Sequence, residues 1–136
     1  MALQLTVVTP EGQAYDEPVE HVVLPGSEGD FGVFEQHERF LTAIRPGPLE
    51  IRSADGVTSW AAISDGFADV GSEQVTVLVS RCDLAGDLDS GAAQHEIEEF
   101  EAGLNQLSGS DEDAPARAEL ELQLASAQVR REVAEK

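Results

Sequence analysis

Leu24-Pro25-Gly26-Ser27-Glu28-Gly29-Asp30-Phe31-Gly32-Val33-Phe34 spaces its glycines three residues apart, after a proline and on either side of Phe31. Glycine tolerates backbone angles that other residues avoid, and proline fixes its own. The run therefore predicts a backbone that turns sharply more than once between two apolar strands. His21-Val22-Val23-Leu24 enters the loop and Phe31-Gly32-Val33-Phe34 leaves it, with Ser27, Glu28 and Asp30 expected at an acidic tip that meets solvent or a partner protein. Downstream, Gln36-His37-Glu38-Arg39-Phe40-Leu41-Thr42 leads to Arg45-Pro46-Gly47.

Outward from this stretch, apolar residues alternate with a period of two from Leu3 to Val79. Leu3, Leu5 and Val7 form one such set, and Thr9-Pro10-Glu11-Gly12 is expected to turn the chain into a first hairpin. Val19 to Val23, apolar on both faces, predicts a more deeply buried strand. Phe40-Leu41-Thr42-Ala43-Ile44 predicts another, and the following Arg45-Pro46-Gly47-Pro48 is unsuited to a central strand because proline lacks an amide hydrogen. Leu49 and Ile51 resume the alternation. Asp55-Gly56 then signals a tight hairpin turn. Runs at Val57 to Ile63, Phe67 to Val70 and Val75 to Val79 complete a series of short strands with no helix between them, which favours a β-sandwich.

The period changes after Ser80-Arg81-Cys82-Asp83-Leu84. Ala93, Ile97, Phe100, Leu104 and Leu107 recur at alternating steps of four and three, a helical stripe that Asp87, Asp89 or Ser90 can cap. Gly109 is the expected stop, and Asp113 before Ala114-Pro115 the expected new start. Ala118, Leu122, Ala125, Val129 and Val133 form the second stripe, with Arg130, Arg131 and Lys136 in the last turns, where cations complement the helix dipole. The chain thus divides into an all-β sandwich over residues 1–84 and a two-helix hairpin over residues 85–136. Such a hairpin buries little alone, so it must lean on the sandwich or on a partner.

The 136 residues carry a formal charge of -19, which repels phosphate backbones and anionic lipids and points to basic protein surfaces as partners. Nucleic acid and direct membrane insertion are not expected. No apolar run reaches the roughly 20 residues of a membrane span, and the start lacks the pattern of a signal peptide, so a cytosolic chain is expected. Cys82 is the only cysteine, which excludes an internal disulfide and a cysteine zinc cluster. No catalytic constellation emerges. His21, His37 and His95 lie on separate elements, and His95-Glu96 with Glu99 lacks the second histidine of a zinc protease helix. Ser64-Asp65-Gly66 has no glycine two residues before the serine, and Gly26 to Gly32 lacks the lysine of a phosphate loop. The Asp111 to Asp113 run reads as a solvated loop rather than a calcium site. Neither a metal nor a cofactor is expected.

Several stretches together resemble the epsilon chain of bacterial F-type ATP synthases, the counterpart of the mitochondrial delta chain. They are Leu5-Thr6-Val7-Val8-Thr9-Pro10-Glu11-Gly12, Leu24 to Val33, His37, Leu41-Thr42, Arg45-Pro46-Gly47 and Ile63-Ser64-Asp65-Gly66-Phe67-Ala68-Asp69-Val70. The resemblance implies a flattened sandwich of about ten strands followed by a helical hairpin. It also implies a non-catalytic rotor subunit of the central stalk, peripheral on the cytoplasmic side of the bacterial inner membrane, since no transit peptide precedes it.

In that reading the sandwich binds the gamma chain and rests on the c-subunit ring. Glu28, Gly29, Asp30 and Phe31 match the loop that faces the ring, whose polar loops carry basic side chains, and His37 matches a position near gamma. The resemblance further implies that the hairpin can extend toward the catalytic beta chain and oppose ATP hydrolysis, with Arg130 and Arg131 as the contacts. The chain departs from the family in two places. Ala92 stands where relatives that bind ATP carry an arginine, so no nucleotide site is expected, and Glu38-Arg39-Phe40 replaces the usual Ala-Pro-Leu. The competing class is a free-standing acidic β-sandwich binding module with a helical oligomerisation tail. It would need an aromatic platform that Trp60, Tyr15 and the scattered phenylalanines do not evidently supply.

Overall fold

In the computed structural model, which describes residues 3–34, 38–107, 109 and 111–136, ten strands precede two helices. The strands are β1 (Leu3–Thr9), β2 (Gly12–Val19), β3 (His21–Gly26), β4 (Gly29–Phe34), β5 (Phe40–Ile44), β6 (Gly47–Arg52), β7 (Thr58–Ile63), β8 (Gly66–Val70), β9 (Gln74–Val79) and β10 (Cys82–Leu84). The helices are α1 (Ser90–Gln106) and α2 (Ala114–Ala134), and a 3-10 turn at Ala85–Asp87 leads into α1.

The hydrogen-bonded order is β10-β7-β6-β3-β5-β8-β9-β1-β2, with β4 beside β3. Strands β3 and β5 meet only at Gly26 and Ile44, so the ladder folds there into two halves. Their inner faces share one core: Val22, Leu24, Val33, Leu49, Ile51, Ala61 and Ile63 from one half, and Leu3, Leu5, Val7, Val19, Ile44, Ala68, Val70, Val75, Val77 and Val79 from the other. Strict alternation makes this possible, since every second side chain of a strand shares a face. Strand β1 pairs antiparallel with β2 and parallel with β9.

Several expectations need correction. The Leu24 to Phe34 stretch turns once, not several times. It is a hairpin in which Gly26 pairs with Gly29 across the two-residue turn Ser27-Glu28. Only Gly29 has a positive φ (135°); a Cβ on Gly26 would lie 2.9 Å from the Phe31 ring, and one on Gly32 would lie 2.8 Å from His21 Nε2. Those two glycines make room for neighbouring rings.

The strand expected over Val19 to Val23 is split at Glu20, where the chain bends between β2 and β3. The bend shifts the parity of the core face, so Val19 and then Val22 and Leu24 point inward while Val23 is only half-buried. Gly47 and Pro48 open β6, which lies between β7 and β3. Pro48 is accommodated because it pairs only with Ala62 of β7; the register with β3 runs from Glu50 to Arg52. The Asp55-Gly56 hairpin forms as expected, with the Gly56 amide donating to the Ser53 carbonyl at 3.0 Å and Gly56 at φ 85°.

Helix α1 buries Ala93 and Ile97 and is capped by the Asp89 carboxylate, which accepts from the Gly91 amide at 3.0 Å. It ends at Gln106, before Gly109, because Leu107 turns to an extended conformation. The expected α2 stripe holds only in its second half: Val129 and Val133 are buried, Ala118 and Leu122 are exposed, and Ala127 and Arg130, outside the expected stripe, are buried as well. Helix α2 has two neighbours. It lines up antiparallel with α1, as Gln94, Glu96 and Gly103 meet Arg131, Arg130 and Leu120, and it lies on the outer face of β6 and β7.

Candidate functional sites

Three surfaces have the chemistry to meet another molecule: the β3–β4 tip, the outer face of β5, β8 and β9, and the end of the helical hairpin. At the tip, Ser27, Glu28, Gly29 and Asp30 are exposed. Asp30 is paired with Arg45 of the β5–β6 connection, so the carboxylate of Glu28 is left to set the charge of the turn. Phe31 is half-buried against the core and meets Phe40 edge-on with ring centres 5.4 Å apart. It braces the hairpin from behind. The backbone of the turn is tied to the neighbouring strand, since the Ser27 amide donates to the Ala43 carbonyl at 3.0 Å and the Arg45 amide to the Pro25 carbonyl at 2.9 Å. The expected gamma-side residue His37 lies outside the described residues.

The outer face of the second half-sheet carries a stripe that sequence reasoning missed. Phe67 (55 % exposed) pairs across β8 and β9 with Leu78 (50 % exposed) and across β5 with Ala43, and Leu41 (69 % exposed) stands two residues before Ala43 on the same face. Val8 of β1 pairs with Leu78 and extends the row. Contiguous exposed apolar rows of this kind mark surfaces that another chain covers. The signal was present in the sequence, because β8 and β9 carry Phe67 and Leu78 at the positions that alternate away from the core.

At the hairpin, Arg130 and Arg131 are engaged within the chain. Arg130 Nη2 donates to Glu96 Oε2 at 2.6 Å and Nη1 donates to Ser126 Oγ at 2.9 Å; Arg131 Nη1 donates to Gln94 Oε1 at 2.6 Å. Ala62, Val129 and Val133 form a small core between α2 and the sandwich, with Trp60, Ala85 and Leu88 packed against it, and the Lys136 ammonium lies 4.1 Å above the Trp60 ring. Ala92 is exposed in the first turn of α1 and supplies no cation there.

The remaining candidates for chemistry are structural. Ser64 is buried, shares a 2.9 Å hydrogen bond with the Ser80 hydroxyl and accepts from the Arg81 amide at 2.9 Å, fastening β10 to the turn before β8. His21 stacks on Phe34 at 4.2 Å, and His95 lies 2.9 Å from Glu99 one turn along an exposed helix face. Burial, with Asp83 beside it, pushes the Cys82 thiol up to about 11, the opposite of an activated nucleophile. Among the described residues no cluster of histidine, cysteine and carboxylates could hold a metal, and no helix is long and apolar enough to cross a membrane.

Residues 2–85 match the family described as "ATP synthase, Delta/Epsilon chain, beta-sandwich domain". The chain is 39 % identical over 107 residues to a protein of Prochlorococcus marinus named "ATP synthase epsilon chain", with 79 % of each chain covered. It is 37 % identical over 127 residues to a protein of the same name from a Synechococcus species, covering 93 % of this chain and 90 % of the relative. In fold it is similar to a chain in the structure of the Euglena gracilis mitochondrial ATP synthase, with a TM-score of 0.81 at 23 % identity over 99 % of this chain and 82 % of that one.

Proposed function

We propose a function from one premise: the chain belongs to the family of ATP synthase epsilon chains, by the match of its sandwich and by relatives that span nearly its whole length. It is a non-catalytic subunit of the central stalk of an F-type ATP synthase, where its sandwich joins the gamma chain to the ring of c subunits. The observation that carries the reading is the bare row of Leu41, Phe67 and Leu78 on one sheet face of a strongly acidic molecule. A gamma chain seated on that row would remove it from water, at about 25 cal/mol for each Å² of apolar surface covered. Gamma and the ring are the two partners of the sandwich, the first on the outer face of β5, β8 and β9 and the second at the β3–β4 tip.

Within that reading, Glu28, Gly29, Asp30 and Phe31 form the ring-facing tip. Glu28 faces basic loops, Asp30 is held in place by Arg45, and Phe31 acts as the brace. His37 is assigned to the gamma side. The sandwich of residues 1–84 does the coupling, and residues 85–136 form a separate regulatory unit whose Arg130 and Arg131 would meet the beta chain only in an undocked form. Ala92 leaves α1 without the family's ATP-binding arginine, so docking proceeds without nucleotide. The chain works peripherally on the cytoplasmic face of a bacterial inner membrane.

Co-purification of the tagged full-length chain with gamma tests the reading. A stoichiometric complex that Phe67→Ser with Leu78→Ser disrupts would support it. A folded chain that binds neither gamma nor the c-ring would refute it.

A further inference from the structure

The bare face of β5, β8 and β9 is not uniformly apolar. The register of the strands lays its outward side chains in two rows: Ala43, Phe67, Leu78 and Val8 in one, and Leu41, Asp69, Thr76, Thr6 and Asp16 in the next. Asp69 is exposed, stands opposite Leu41 on one side and Thr76 on the other, and follows Phe67 by two residues along β8. Positions on one sheet face lie about 5 Å apart across strands and about 7 Å apart along them, so Leu41, Phe67 and Leu78 border this carboxylate. The two aspartates of the second row differ. Asp16, on the edge strand β2, is held within the chain: its Oδ1 accepts from Gln4 Nε2 at 2.7 Å and from Thr6 Oγ1 at 3.0 Å. Among the described residues nothing donates to Asp69, and Arg39, exposed two residues before Leu41, makes no ion pair with it.

We propose that Asp69 selects the chain that covers this face: the gamma segment seated on Leu41, Phe67 and Leu78 brings an arginine or lysine to the Asp69 carboxylate. The inference rests on the stalk reading and adds to it the chemistry that the gamma surface must have. Covering the row takes Asp69 out of water as well, and a carboxylate buried without a partner opposes the gain from the apolar contacts around it. A wholly apolar cover is therefore disfavoured, and one that brings an acidic group is repelled. A cation in register removes the penalty, and the surrounding apolar side chains shield the pair from water and so strengthen it. The net charge of -19 draws in any basic surface, whereas one carboxylate among apolar side chains distinguishes one basic surface from another. It also sets alignment. Repeated rows would let a covering segment slip along the strands, and a single charge in the second row fixes where it stops.

Titration of the full-length chain with gamma tests the inference. Asp69 is exposed in the free chain, so replacing it removes no core contact. Asp69→Asn keeps the shape and removes the charge, and it should weaken the complex about tenfold or more. Asp69→Leu makes the face wholly apolar and should weaken it further. Glu101→Gln, on the exposed side of α1, changes the net charge equally and should stay within about twofold of wild type. Arg39→Gln should leave binding unchanged or tighter. Asp69→Lys should abolish binding, and reversal of one gamma cation to glutamate should restore it. Wild-type affinity in Asp69→Asn would overturn the inference, and so would tighter binding by Asp69→Leu. An equal loss in Arg39→Gln would overturn it too, by making Arg39 the counter-charge. A wild-type chain that binds no gamma would sink the stalk reading and this inference together, whereas binding that ignores Asp69 would sink the inference alone.

Discussion

The two outer faces of this sandwich are built by the same alternation and finished in opposite ways. On β6 and β7 the outer face lies under α2, which brings Val129, Val133 and the Lys136 ammonium to Trp60 and Ala62. On β5, β8 and β9 the outward residues Leu41, Phe67 and Leu78 lie bare. The first face is closed by the chain's own tail through a small core of a few side chains. The second has a wider apolar row and no internal cover. A reversible contact is well served by the first arrangement, since few side chains must be exposed to release it. A permanent contact with another chain is well served by the second, since nothing has to move first.

The sharpest way to break the comparison is to remove the scaffold of the bare face. A Cβ on Gly66 would lie 1.9 Å from the Leu78 carbonyl oxygen, so Gly66→Ala must part β8 from β9. We expect a loss of about 3 kcal/mol or more in denaturant unfolding, and with it loss of the gamma contact. Phe67→Ser with Leu78→Ser should instead spare the fold, changing its stability by about 0.5 kcal/mol or less, while weakening gamma binding about a hundredfold in a titration. The covered face responds in the other sense. Val133→Ala should destabilise docking by about 1.5 kcal/mol, seen as a shift of Trp60 emission with gamma binding intact. Smallest of all, Lys136→Ala should loosen the end of α2 by about 0.5 kcal/mol, read from amide exchange of the last turn. If the serine variants moved Trp60 emission, or Val133→Ala weakened the gamma complex, the two faces would not be independent and the division of labour would fail.

The sandwich was largely legible because its core residues sit at every second position on strands β1, β6, β7, β8 and β9, and nothing else produces that period. What stayed hidden was whatever depends on a neighbour distant in sequence. Strand β2, Gly12–Val19, is mostly polar and exposed and forms a strand because β1 gives it a ladder, and β10 is three residues long and exists through β7. The α2 stripe was right at Val129 and Val133 but missed Ala127 and Arg130, because that helix buries residues against two partners at different angles, whereas one stripe on a helical projection presumes a single partner. Arg130 read as a surface cation because its counter-charge lies 34 positions earlier. The tip residues Glu28 and Asp30 were placed at a turn from glycine spacing alone, but no spacing reveals that Arg45 claims one of the two carboxylates.

The parallel pairing of β1 with β9 bears on how the molecule comes into being. The strand Leu3–Thr9 leaves the ribosome early and can form its hairpin with Gly12–Val19 at once, yet its other edge has no mate until Gln74–Val79 has been made. Leu3, Leu5 and Val7 belong to a core whose other wall is supplied by that late strand. The sheet therefore closes near the end of sandwich synthesis, through its most distant contacts in sequence, which is the slow step for chains of this topology. Until then the nascent chain exposes an unsealed β edge. A chain stopped before Gln74 is expected to aggregate, whereas one stopped after Leu84 has every strand it needs to close.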